Sequence, residues 1–119
     1  MKVKSVSIIF LILMFIPFPA LGYSVEGIWY LSTTDPVGFV FFATAHQRGD
    51  QIVLIMLEPA QDDWSYAIGT ISGANFSATS QYGGAVQGTF TDSNHIRGSM
   101  EYYEDGYFIP VSFTAEKVW

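Results

Sequence analysis

Ile96-Arg97-Gly98-Ser99-Met100-Glu101-Tyr102-Tyr103-Glu104-Asp105-Gly106-Tyr107-Phe108-Ile109-Pro110-Val111-Ser112-Phe113-Thr114-Ala115-Glu116-Lys117 decides the fold class of this 119-residue chain. Ile96, Gly98, Met100 and Tyr102 share one side of a period-two pattern, opposite Arg97, Ser99 and Glu101. Past Glu104-Asp105-Gly106, Ile109, Val111, Phe113 and Ala115 alternate with Ser112, Thr114 and Glu116. Period two is the repeat of a β-strand with one buried and one solvated face. Asp-Gly between two such runs suits a tight hairpin, whose turn needs φ > 0.

Toward the N-terminus the same pattern continues. Short runs of β-branched and aromatic residues recur with turn residues every eight to twelve positions, which predicts eight strands. They span Gly27–Ser32, Gly38–Gln47, Gln51–Leu57, Trp64–Ser72, Phe76–Ser80, Ala85–Thr91, Ile96–Tyr103 and Tyr107–Lys117. Arg48-Gly49-Asp50, Gly73-Ala74-Asn75, Tyr82-Gly83-Gly84 and Asp92-Ser93-Asn94 supply further tight connections. Tight hairpins make sequential strands antiparallel neighbours, and a meander of eight leaves two open edges unless it closes. The expected fold is therefore all-β, an antiparallel up-and-down meander closing into a small barrel. Gly69-Thr70-Ile71, Gly88-Thr89-Phe90 and Gly98-Ser99-Met100 each place a glycine in mid-strand. Such glycines mark where a sheet coils or where a backbone or large ring comes close.

Phe39-Val40-Phe41-Phe42 and Ile52-Val53-Leu54-Ile55-Met56-Leu57 are apolar on both faces. Neither face of that hairpin suits water, so its outer side needs a cover: a partner subunit, a loop or N-terminal segment, or a membrane. The partner subunit is the first choice. It makes the chain a homo-oligomer with Phe39, Val40, Phe42, Val53, Ile55 and Leu57 at the interface. The inner face, with Phe41, Leu54, Tyr66, Phe90, Met100 and Phe113, is expected to line the interior. An eight-stranded barrel either fills with its own side chains or holds one small ligand. Inward Gly88, Gly98, Ala43 and Ala45 favour a cavity for a small apolar ligand, whereas the many Phe and Tyr favour a filled barrel serving as an assembly subunit.

Lys2 and Lys4 precede an apolar run from Val6 to Phe18 that ends in Pro17-Phe18-Pro19-Ala20-Leu21-Gly22. This is the pattern of an export signal spanning residues 1–22, cleaved before Tyr23, with one β domain over residues 23–119. The run is too short, and too broken by proline, for a lasting membrane anchor. An exported protein, periplasmic or secreted, is expected. Cysteine is absent, so no disulfide or thiol chemistry is available. Beyond residue 22 only Arg48, Arg97 and Lys117 face all eleven carboxylates. Phosphate backbones would repel such a chain, and no nucleic-acid partner is expected.

Val25-Glu26-Gly27-Ile28-Trp29-Tyr30 is similar to the G-x-W opening of the calycins, the superfamily of lipocalins, fatty-acid-binding proteins and avidins. The resemblance implies an eight-stranded barrel in which Trp29 closes one end and Lys117, near the last strand, lies across it. It covers a few residues. The tryptophans that avidins place around biotin have no counterparts here, because Trp64 and Trp119 are the only others.

In an up-and-down meander alternate connections lie at opposite ends. One end receives Asp35, Glu58, Asp62, Asp63, Glu104 and Asp105, close to Trp64, Tyr66, Tyr82, Tyr103 and Tyr107. Such an acidic, aromatic surface is a second candidate site, for sugar rings. The other end receives His46, Arg48, Asp50, Asn75, Asp92, His95, Arg97 and Lys117. Neither spaced calcium ligands, nor a zinc motif, nor a nucleophile elbow is present, so no metal, cofactor or catalytic residue is assigned and the chain is not expected to be an enzyme.

Overall fold

The computed structural model describes residues 22–34, 38–58 and 63–119, without the side chains of Glu58 and Asp63. Residues 1–21 of the expected export signal, and Asp35 and Asp62 of the acidic end, lie outside the described residues. The described residues form eight strands and no helix: β1 (Gly27–Thr33), β2 (Val40–Arg48), β3 (Gln51–Glu58), β4 (Asp63–Ser72), β5 (Asn75–Ser80), β6 (Ala85–Asp92), β7 (His95–Glu104) and β8 (Tyr107–Lys117). Each pairs antiparallel with the next, and β8 returns to β1, closing the barrel. Its seam runs from Trp29 opposite Lys117 to Thr33 opposite Phe113. Asp105 and Gly106 both take positive φ, 50° and 83°, as the tight β7–β8 hairpin demands.

Alternation sorts the walls. Phe41, Ala43 and Ala45 of β2 and Ile52, Leu54 and Met56 of β3 are buried inside, while Val40, Phe42, Val53 and Leu57 are exposed outside. Two expectations are corrected by this parity. Phe39 precedes β2, which starts at Val40 rather than Gly38; its ring lies against Phe41 (5.6 Å) and Tyr102 (5.2 Å), packed on the core rather than on the outer face. Tyr66 is 39% exposed on the outer face, because its neighbour Ala67 is the residue that points in.

The space expected beside the mid-strand glycines is occupied. Across four strands the register runs Phe76, Gly88, Gly98, Phe113. A side chain at Gly88 would meet the Phe76 ring and Ile96, and one at Gly98 would meet the Phe113 ring and the Gln87 carbonyl. Each phenylalanine folds over the glycine of the adjoining strand, so the missing side chains are replaced by rings from their neighbours.

The outside is two-sided. On β1 to β4, Tyr30 stands beside Phe42, Phe42 beside Leu57 and Leu57 beside Trp64, with Ile55 beside Tyr66 and Val53 beside Ile68 in parallel rows. On β6 to β8 the outward residues are mostly polar, among them Gln87, Thr89, Arg97, Ser99, Ser112 and Glu116, with an exposed aromatic pair, Tyr103 and Phe108, beside the β7–β8 turn. A barrel crossing a bilayer carries an apolar band around its whole circumference. This one has it on half.

Candidate functional site

One end of the barrel is closed. The chain before β1 folds under it: Val25 is buried, its carbonyl accepts a 2.8 Å bond from Trp29 Nε1, and Tyr23 stacks on Phe90 at 4.9 Å. Phe90 meets Trp29 edge-on, and Lys117 Nζ lies 5.8 Å from the centre of the Trp29 ring. Gly27 has φ of 136°, and a side chain there would meet the Trp119 carbonyl and Lys117. The described N-terminal residues thus plug the barrel instead of covering the outer β2–β3 face.

Both histidines at this end sit beside a carboxylate. His46 Nδ1 lies 3.2 Å from Glu26, and His95 Nδ1 lies 2.8 Å from Asp92. Among the described residues no three His, Asp or Glu side chains gather as a metal site. The β6–β7 register shifts between Phe90 and Asp92, which sets Asp92 opposite His95. The Asn94 N–H and the His95 ring hold the Asp92 carboxyl below the usual carboxylate range. A lowered folded value stabilises the turn above about pH 4, and the contribution is lost as pH falls through that value. An NMR titration of the Asn94 amide is expected to show a midpoint below the ordinary range; a midpoint within it would mean that the bonds are not made in solution.

Inside, the middle of the barrel is nearly full. A wholly apolar cavity of about 30 Å³ remains, bordered by Trp29, Leu54, Met100 and Phe113 among others. An apolar cavity that accommodates benzene is about 150 Å³, roughly five times larger. Of the interior residues expected to hold a ligand, Leu54 and Phe113 border this remnant alone, Met100 borders both it and the cavity at the opposite end, and Phe90 packs against the plug.

The other end is open, and its shape comes from strand length. β4 and β7 overrun the short β5–β6 hairpin between them: β4 pairs with β5 only from Ala67, and β7 pairs with β6 only as far as Met100. Side chains cover part of the uncovered backbone, since Gln81 accepts from Tyr66 N–H and Glu101 from Ala85 N–H, each at 3.1 Å. The notch holds a cavity of about 160 Å³. Phe41, Met56, Val86 and Met100 form its apolar base, and Trp64, Tyr82, Tyr102, Tyr103 and Glu101 its rim.

Phe41 and Met100 are thus the two expected ligand-lining residues at this opening. Of the aromatic surface expected at the acidic end, Trp64, Tyr82 and Tyr103 come together, Tyr82 stacking on Tyr103 at 5.0 Å. Tyr66 instead lies beside Trp64 on the outer wall at 6.4 Å, and Tyr107 is exposed away from the cavity. Met56, Val86, Glu101 and Tyr102 were not foreseen as its lining. Tyr102 was findable, because it shares the inward face of Met100 one step nearer the acidic end. No known family model matches this chain, and no curated protein does.

Proposed function

We propose that this chain is an exported, non-enzymatic β-barrel protein that holds one small apolar ligand at the open mouth of a calycin-like barrel. The observation that carries the reading is the 160 Å³ notch with its apolar base. A cavity of about 150 Å³ lined by apolar side chains accommodates benzene. The Trp29–Lys117 closure and the G-x-W opening support the calycin-like grouping. Titration with toluene, followed through the methyl signals of Met56 and Met100, is expected to saturate. Trp64 is 57% exposed, so Trp64→Ala should change stability by no more than about 0.5 kcal/mol. Loss of its ring should weaken toluene by about fivefold. Unshifted methyl signals up to the solubility limit of toluene would overturn the reading.

A second reading rests on a different observation, the apolar outer face of β1 to β4. There Phe42 is 42% and Ile68 57% exposed. Its occupant on this reading is a second copy of the chain. A flat apolar face meets its own two-fold mate without charge conflict, and two sheets pack face to face about 10 Å apart. Sedimentation should then show a dimer that Phe42→Glu with Ile68→Lys converts to a folded monomer. A monomeric parent protein at about 100 μM, a concentration at which micromolar dimers persist, would sink it.

A further inference from the structure

We propose that the mouth notch selects organic cations, with Glu101 as their counter-ion. The inference rests on the ligand-binding reading above and deepens it by naming the ligand class. Four aromatic side chains, Trp64, Tyr82, Tyr102 and Tyr103, line an opening whose one charged lining residue among those described is Glu101. An ammonium group against aromatic faces is attracted by their negative quadrupole, most strongly where water is displaced. The Glu101 carboxylate is held in place at this rim by the Ala85 N–H, 3.1 Å away. Glu104 and Asp105 stand in the adjacent β7–β8 turn, and the backbones of Glu58 and Asp63 pair at the neighbouring edge. Arg48, Arg97 and Lys117 belong to the opposite half of the barrel, on the turn-proximal ends of β2 and β7 and the far end of β8. Along the barrel axis the described charges therefore run from negative at the mouth to mixed at the plug, which draws cations toward the notch and turns anions away.

The apolar base fixes the rest of the ligand. Phe41, Met56, Val86 and Met100 offer no hydrogen-bonding side chain, so the group that enters first is hydrocarbon, and the charge stays at the rim. A small alkyl- or arylammonium ion satisfies both layers. A sugar, with hydroxyls on every side, finds Ser65 and Ser80 in the lining but leaves its remaining hydroxyls unpaired against the base.

The test compares benzylammonium with benzyl alcohol, its uncharged counterpart of nearly the same shape, by calorimetry on the full domain. Benzylammonium is expected to bind about tenfold more tightly, the scale of one well-placed cation–π contact with a nearby carboxylate. Added salt should erode that margin. Glu101→Gln keeps an acceptor for Ala85 N–H while removing the charge, and should cut the preference severalfold. Equal affinity for the two compounds, or a preference unaltered by Glu101→Gln, overturns the inference. If toluene binds in those circumstances the ligand-binding reading stands; if toluene, benzylammonium and the alcohol all fail to bind, that reading falls as well.

Discussion

Trp29→Ala is expected to lower the unfolding free energy by about 3 to 5 kcal/mol, the cost of deleting a large buried aromatic ring. The position concentrates several interactions. Trp29 is 3% exposed, bonds Val25 through Nε1, meets Phe90 edge-on and lies beneath Lys117. Removing the ring leaves a cavity next to the existing 30 Å³ remnant and detaches the segment that plugs the barrel. A small domain without disulfides has only about 5 to 10 kcal/mol to lose, so denaturant unfolding should show a large fall in midpoint. Trp29→Phe keeps most of the area but not the bond to Val25, and should cost about 1 to 2 kcal/mol. Lys117→Met, which keeps the stem and removes the charge, should cost under about 1 kcal/mol because the ammonium is partly solvated. Equal losses for Trp29→Ala and Lys117→Met would show that the charge, not the ring, holds this end together.

Gly88 and Phe76 form the second case, expected to show strong non-additivity. Phe76→Ala alone should cost about 3 to 5 kcal/mol, and Gly88→Val alone about 1 to 3 kcal/mol through overpacking. The three atoms nearest a side chain at Gly88 are side-chain atoms of Phe76 and Ile96, which are absent or movable once Phe76 is truncated. The double variant should therefore be more stable than the two losses summed, with a coupling of about 1 to 3 kcal/mol. Gly98 behaves differently. A side chain there meets the Gln87 carbonyl as well as the Phe113 ring, and truncating the ring cannot move the backbone. Gly98→Val with Phe113→Ala should show little rescue. Additive losses at Gly88 and Phe76, read from the same denaturant curves, would contradict the interlocked row.

Both cases turn on side-chain direction, and there the sequence is least legible. The eight strands and their closure follow from turn chemistry and period two, and the predicted bounds fall within two residues of those observed, as for β2 starting at Val40. Face assignment is sound where polar residues alternate with apolar ones, as in β7 and β8. It fails where they do not. Phe39-Val40-Phe41-Phe42 offers no polar residue to mark the outside. In Trp64-Ser65-Tyr66-Ala67-Ile68 the large apolar residues face out and small Ala67 faces in, the reverse of what hydropathy suggests. The interior volume was misjudged for a related reason. A glycine registers in the sequence as empty space, while the ring that fills it comes from a neighbouring strand. The notch is harder still to foresee, since it depends on how far β4 and β7 outreach the β5–β6 hairpin.

The seam between β1 and β8 also governs the order of events when the barrel forms. Each hairpin joins residues close in sequence, whereas Trp29 and Lys117 are partners from opposite ends of the domain. Pairing of such distant segments is what slows β-proteins to milliseconds or seconds. Until β8 has been made and docked, β1 and β7 are both open edges able to recruit strands from other chains. Shielding them before closure falls to the cell rather than to the fold.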